Sequence, residues 1–206
     1  MDGVFMFKII KRLLALTLLA ALVYVGSVYL SKRELQNEVL RLHVVADSNS
    51  DEDQAIKLKV RDAIITALEA DLARVDTKEQ AQAMISGKLE ELEQIANEVL
   101  EKEGVTDRAV VTLEREGFET RDYDTFSLPA GVYDSLRITI GSGQGENWWC
   151  VVFPNLCIPA ASEDVQDVAA GAGFSDGLTG AITGKREYRV RFFLLDWMGR
   201  IENYFI

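Results

Sequence analysis

From Leu13 to Leu30 the chain reads LLALTLLAALVYVGSVYL, eighteen residues without a charge, and no other stretch constrains its folding so strongly. As a helix this run is roughly 27 Å long at about 1.5 Å per residue, close to a hydrocarbon core of ~30 Å. It has no polar face, which argues against a buried helix of a soluble protein. Lys8, Lys11 and Arg12 precede it and Lys32 and Arg33 follow, so the basic excess predicts an N-terminus inside and the remainder outside. Tyr24 and Tyr29 lie toward the far end, where amphipathic rings favour the interface. Anchor and cleavable signal both stay open. The run exceeds a typical signal core of about 7–15 residues, yet Val25-Gly26-Ser27 is a passable cleavage site between bulky Tyr24 and Val28. Residues 1–33 are expected to form a basic stub with an anchor or signal, and residues 34–206 an exported domain.

Charge narrows what that domain can bind. The chain of 206 residues carries a net −11, and because residues 1–30 hold +2, the other 176 hold −13. Such a domain is repelled by nucleic-acid phosphates and by anionic headgroups, and no basic patch with interleaved aromatics offsets this. Nucleic-acid binding is not expected on this ground. The same acidity also serves solubility.

The exported part predicts an α+β fold, with two amphipathic helices packed on a mostly antiparallel sheet. Val39–Val45 reads as a strand. Ser50 with Asp53 then opens a helix with Asp51, Glu52 and Asp53 in its first turn, and Ile56, Val60, Ile64, Leu68 and Leu72 recur at helical spacing. Thr77 with Gln80 caps a second helix, which runs through Ile85, Leu92, Ala96 and Leu100 and stops at Gly104. Ala109–Arg115, Phe118–Phe126, Tyr133–Ile140 and Trp148–Phe153 read as strands joined by short links. Residues 160–184 are Gly-rich and predict a mobile excursion. Tyr188–Leu195 alternates like a last strand, and Asp196–Phe205 like a short closing helix.

Few residues have the pattern of catalysis. His43 is the only histidine and sits among apolar strand neighbours, where half-burial or a pH-sensing or binding role is expected rather than base catalysis. Asp47-Ser48-Asn49-Ser50-Asp51 begins like a calcium loop, but Glu52 and Leu58 stand where that loop needs Gly and Glu, so helix capping explains it better. Gly141-Ser142-Gly143-Gln144-Gly145 precedes a strand rather than a helix, which makes it a tight hairpin turn and not a phosphate cradle. Cys150 and Cys157 are the only cysteines. A turn at Pro154-Asn155 can bring them within bridging distance in an oxidising space, the alternative being two packed thiols. No metal shell and no cofactor motif is complete. A secreted hydrolase acting on cell-wall glycan or peptide through Asp and Glu stays open as an alternative, and so does a passive envelope module.

Two blocks carry a resemblance. Arg41-Leu42-His43-Val44-Val45-Ala46-Asp47-Ser48, followed by Asp53-Gln54 and Lys57-Leu58-Lys59-Val60-Arg61-Asp62, resembles the signature of the stage II sporulation protein R family. Leu128-Pro129-Ala130-Gly131-Val132-Tyr133 and Gly145-Glu146-Asn147-Trp148-Trp149-Cys150 through Leu156-Cys157 resemble its second block. The resemblance implies a non-enzymatic signal in endospore formation. Such a protein is exported from the forespore into the space facing the mother cell, where it triggers a membrane-embedded aspartic protease that processes a sigma-factor precursor. It implies no small-molecule substrate and gives no receptor map. The residues themselves nominate the corner at His43, Asp47, Asn49 and Asp51, and the pair Trp148-Trp149, as partner-binding candidates. Adjacent strand residues point to opposite faces, so one ring is expected in the core and the other outside.

Overall fold

The computed structural model describes residues 2–123, 126–154, 176–183 and 189–205. Helix α1 (Asp2–Glu38) leads into strand β1 (Leu40–Val45), then helices α2 (Asp51–Leu72), α3 (Lys78–Ser86) and α4 (Leu89–Lys102). Strands β2 (Ala109–Phe118), β3 (Arg121–Asp122), β4 (Ser127–Leu128), β5 (Gly131–Ile140) and β6 (Asn147–Phe153) follow. Helices α5 (Asp176–Ile182) and α6 (Arg189–Asn203) complete the described elements. The fold is α+β, as expected.

The main sheet has the order β2-β5-β1-β6. β5 is antiparallel to β2, β1 is parallel to β5, and β6 is antiparallel to β1. β1 is buried along its whole length because both sheet faces are covered. Leu40, Leu42 and Val44 point into an apolar cluster with Ile56, Val60, Ile64 and Leu68 of α2 and Leu92, Ala96 and Leu100 of α4. On the opposite face Val28, Leu35 and Val39 pack with Phe118, Tyr133, Val151, Leu178, Ile182 and Leu195. The last turns of α1 therefore belong to the domain's second core. Its earlier turns, from Phe5 to Val25, stand exposed and apolar, and the helix is long and apolar enough to cross a membrane.

Local grammar explains most element ends. The Ser50 hydroxyl accepts the Asp53 N–H at 3.1 Å, and Thr77 accepts that of Gln80 at 3.3 Å. Gly104, at φ 76°, closes α4 while Val105 N–H reaches back to Leu100 O at 2.9 Å, a left-handed stop that a side chain disfavours.

Four expectations are corrected. The second amphipathic helix divides into α3 and α4 at Gly87-Lys88, because glycine is a poor helix former and Lys88 turns aside to pair with Asp71 at 2.5 Å. Phe118–Phe126 is not one strand, since β2 ends at Phe118 and β3 pairs separately with β4. The segment read as a last strand lies in α6. Alternation over Arg189–Phe192 mimics a strand, but Leu195 and Gly199 are buried while Phe193, Trp197 and Ile201 are exposed, a helical period. The loop 141–145 is not a hairpin, because β1 lies between β5 and β6 and the loop must cross its end. The predicted Gly-rich excursion lies largely outside the described residues, apart from α5.

Candidate functional site

The crossing organises a polar corner. Ser142 N–H donates to the Asp47 carboxylate at 2.5 Å, and the Ser142 hydroxyl donates to Asp47 O at 3.1 Å. Gln144 and Gly145 N–H reach Asp47 O and Ala46 O at 3.1 and 2.9 Å. Asn49 Oδ1 accepts the Glu146 N–H at 2.6 Å. Gly145 passes so close that a Cβ would fall on the Ser48 carbonyl. The Ser142 N–H holds the Asp47 carboxyl below its ordinary range. Beneath the loop, the Asp53 carboxylate takes the Ser48 and Ser50 hydroxyls, and Gln54 Nε2 donates to Ser48 O at 2.9 Å. Lys57 donates to Gln54 Oε1 at 2.5 Å and Glu146 O at 3.0 Å. Burial pushes the Lys57 ammonium below its usual range. Asp47, Asn49, Asp53, Gln54 and Lys57 thus bind the start of α2 to the loop entering β6.

His43 sits on the opposite sheet face, 7% exposed. Its Nδ1 meets Glu116 Oε2 of β2 at 2.9 Å and its Nε2 meets Asn147 Oδ1 of β6 at 2.8 Å. Both ring nitrogens are therefore engaged, one by a carboxylate and one by a side-chain amide. Arg137 reaches Glu116 from β5 at 3.2 Å. Burial pushes the Glu116 carboxyl up, but the His43 hydrogen bond and the charges of His43 and Arg137 outweigh it and leave it lowered. With both nitrogens engaged, His43 has none free to take a proton from a nucleophile. One register step away, Arg41 is fully buried. It donates to Tyr123 at 2.9 Å and lies 4.0 Å from the centre of the Phe118 ring, while its Nε and Nη1 have no acceptor among the described residues.

The two tryptophans separate by face. Trp149 lies under Arg121, whose guanidinium carbon is 3.3 Å from the ring centre, and 5.6 Å from the His43 ring. Trp148 is 38% exposed on the other face, with Arg61 of α2 stacked on it at 4.2 Å. Asp51 is exposed in the first turn of α2. Cys150 is buried on β6, and Cys157 lies outside the described residues. Among the described residues, no group of three or more His, Cys, Asp or Glu side chains is placed to hold a metal ion.

The first sequence block and the Gly145–Cys150 part of the second therefore meet at the end of β1, with Asp47 and Asn49 holding the loop and Arg61 lying on Trp148. The sequence model described as stage II sporulation protein R matches residues 36–163. The chain belongs to the stage II sporulation protein R family. Stage II sporulation protein R of Bacillus subtilis (strain 168) is 32% identical over 182 residues, covering 80% of this chain and 81% of the relative. No solved structure matches.

In this family member the block Leu128–Tyr133 seats α6. Asp196 accepts the Ala130 N–H at 2.9 Å. Glu202 accepts Lys32 at 2.6 Å, Gln36 at 2.7 Å and Val132 N–H at 3.3 Å, tying α6 and β5 to the end of α1. Burial raises the Glu202 carboxyl, but its bonds from Lys32 and Gln36 prevail and lower it. Sequence reasoning missed Glu116, Arg137, Gly199 and Glu202. Asn147 at least stood inside a quoted block, but the two glutamates are among 33 acidic residues and nothing local marks them.

Proposed function

We propose that this chain is an exported intercompartmental sporulation signal. Its domain activates a membrane-embedded aspartic protease of the mother cell, which then processes a sigma-factor precursor. The observation that carries this reading is the folding of the first family block and the Gly145–Cys150 part of the second onto one corner, where their polar side chains are spent on holding a surface. In this reading residues 1–33 are a cytoplasmic stub and anchor, and residues 34–206 face the space between forespore and mother cell. The domain is a ligand rather than an enzyme, and a Cys150–Cys157 disulfide closes the turn after β6.

Of the nominated residues, Asp51 and Trp148 have exposed side chains not committed to the loop. We assign the receptor contact to them together with Arg61. His43, Asp47, Asn49 and Trp149 act behind that contact and set its shape. Aromatic and arginine side chains are favoured contact hot spots, and Arg61, half-buried beside Trp148 and paired with Asp62, holds that ring in place.

The test is precursor processing in sporulating cells that export the full chain, lack it, or export the Arg61→Ala/Trp148→Ala variant. Processing should require the chain, and should fall at least tenfold with the variant while its circular dichroism stays unchanged. Absence of processing with a folded, exported chain would sink the signalling reading. Turnover of cell-wall glycan or peptide by the pure protein would favour a hydrolase instead.

A further inference from the structure

Helix α6 leaves an apolar face open to solvent. Phe193, Trp197 and Ile201, four residues apart, are 66%, 54% and 43% exposed, and Tyr204 and Phe205 extend the stripe past the last turn. Arg200, on the same side, is occupied by Asp196 at 2.9 Å and Glu119 at 3.2 Å. Soluble domains rarely leave so many large rings together in water.

Its position suggests what covers it. Glu202 binds Lys32 at 2.6 Å, so the end of α6 sits against α1 just beyond the uncharged run that closes at Leu30. Beside that junction is a cavity of about 340 Å³ lined by Tyr29, Lys32, Arg33, Gln36 and Arg115, with the carboxylates Asp134 and Glu202. Both carboxylates are engaged, Glu202 by Lys32 and Asp134 by Lys78 at 2.6 Å. Arg33 is exposed, and Arg115 is 64% exposed and only 3.7 Å from Asp134. Among the described residues, Arg33 is thus an exposed cation at the cavity and Arg115 keeps only a long contact to a carboxylate it shares with Lys78, in a domain whose net charge otherwise repels an anion. Phenylalanine, tryptophan and tyrosine beside cations, next to a membrane-spanning helix, are the composition of a surface lying at the headgroup level.

We infer that the α6 stripe and the adjoining cavity form a seat on the bilayer. The side chains of Phe193, Trp197, Ile201, Tyr204 and Phe205 enter the interface, and Arg33 and Arg115 hold a phospholipid phosphate. The inference rests on α1 being embedded in the membrane, and it adds a second attachment that fixes the tilt of the domain over the lipid.

The experiment uses the full chain in phospholipid nanodiscs, with the Trp197 emission taken as the difference from the Trp197→Phe variant. Lipids brominated near the headgroup should remove most of that emission, and aqueous iodide should leave it unchanged. Anionic lipid should strengthen the bromine effect in the parent chain and not in Arg33→Glu/Arg115→Glu. Quenching by iodide but not by bromine overturns the seat. Protection from both quenchers that grows with protein-to-lipid ratio also overturns it, since a second copy then covers the stripe. Bromine quenching that the double charge reversal leaves equally sensitive to anionic lipid removes the phosphate site. A chain that fails to co-fractionate with the discs overturns the anchoring and the seat together. Precursor processing in cells is read separately, so failure of the seat leaves the signalling proposal standing.

Discussion

Asp47 does two jobs with one residue. Its backbone carbonyl receives the Ser142 hydroxyl and the Gln144 N–H, and its carboxylate receives the Ser142 N–H. A glycine is required opposite, because a Cβ on Gly141, at φ 55°, would collide with the Asp47 side chain. The Ser142 N–H is the main reason the Asp47 carboxyl is lowered, and this sets the sign of a pH effect. A carboxyl whose pKa falls on folding adds stability above its unfolded value, and that stability drains away as pH drops through the folded value. Asp47→Asn keeps an oxygen for the Ser142 N–H but cannot titrate. The urea midpoint of the parent should exceed that of the variant at neutral pH, and the gap should narrow between about pH 5 and about pH 3. A gap that stays constant over that range would show that the ionised form contributes nothing to the clamp.

Helix α6 is the element where local pattern and tertiary packing part company. Arginines alternating with Val and Phe read as a strand, and only the burial of Leu195 and Gly199 reveals the helical face. At most other element ends local rules sufficed. Ser50 and Thr77 open their helices through their hydroxyls, Gly104 closes one because it lacks a side chain, and the cores of β1, β2, β5 and β6 follow from β-rich runs between turn residues. Strand order was not legible, because nothing near Gly141-Ser142-Gly143 tells that β1 will lie between the strands it joins. The same holds for the His43 site, whose partners Glu116 and Asn147 come from β2 and β6, 73 and 104 positions away. Gly199 shows how tight the α6 contact is. In a solvated helix a change to alanine gains about 1 kcal/mol, but here a Cβ would fall on the Ala130 carbonyl. Gly199→Ala is expected to lose about 3 kcal/mol, seen as a lower urea midpoint at unchanged m value. A neutral or stabilising outcome would mean that α6 is not held against β5 in solution.

At the scale of the whole molecule, the question is whether anchor and domain are separable, and Val28 bears on it. The apolar run ends at Leu30, yet Val28 is fully buried among domain residues that include Leu178, Ile182 and Leu195. Ser31 and Lys32 are buried as well. Cleavage after Val25-Gly26-Ser27 would make Val28 the new N-terminus and place its ammonium in that cluster. An unpaired charge there costs several kcal/mol, and the chain would have to unwind the last turns of α1 to relieve it. Unwinding would in turn weaken the Lys32 and Gln36 bonds to Glu202 that join α1 to α6. The fold therefore favours a retained helix, and under the anchoring proposed above that helix would join the domain to the bilayer by a rigid connection rather than a free tether. Intact-mass measurement of the chain from the membrane fraction of sporulating cells should accordingly find residues 1–27 still attached. A mature chain beginning at Val28, stable and active in precursor processing, would show instead that the second core tolerates a charged terminus and that α1 serves only for export.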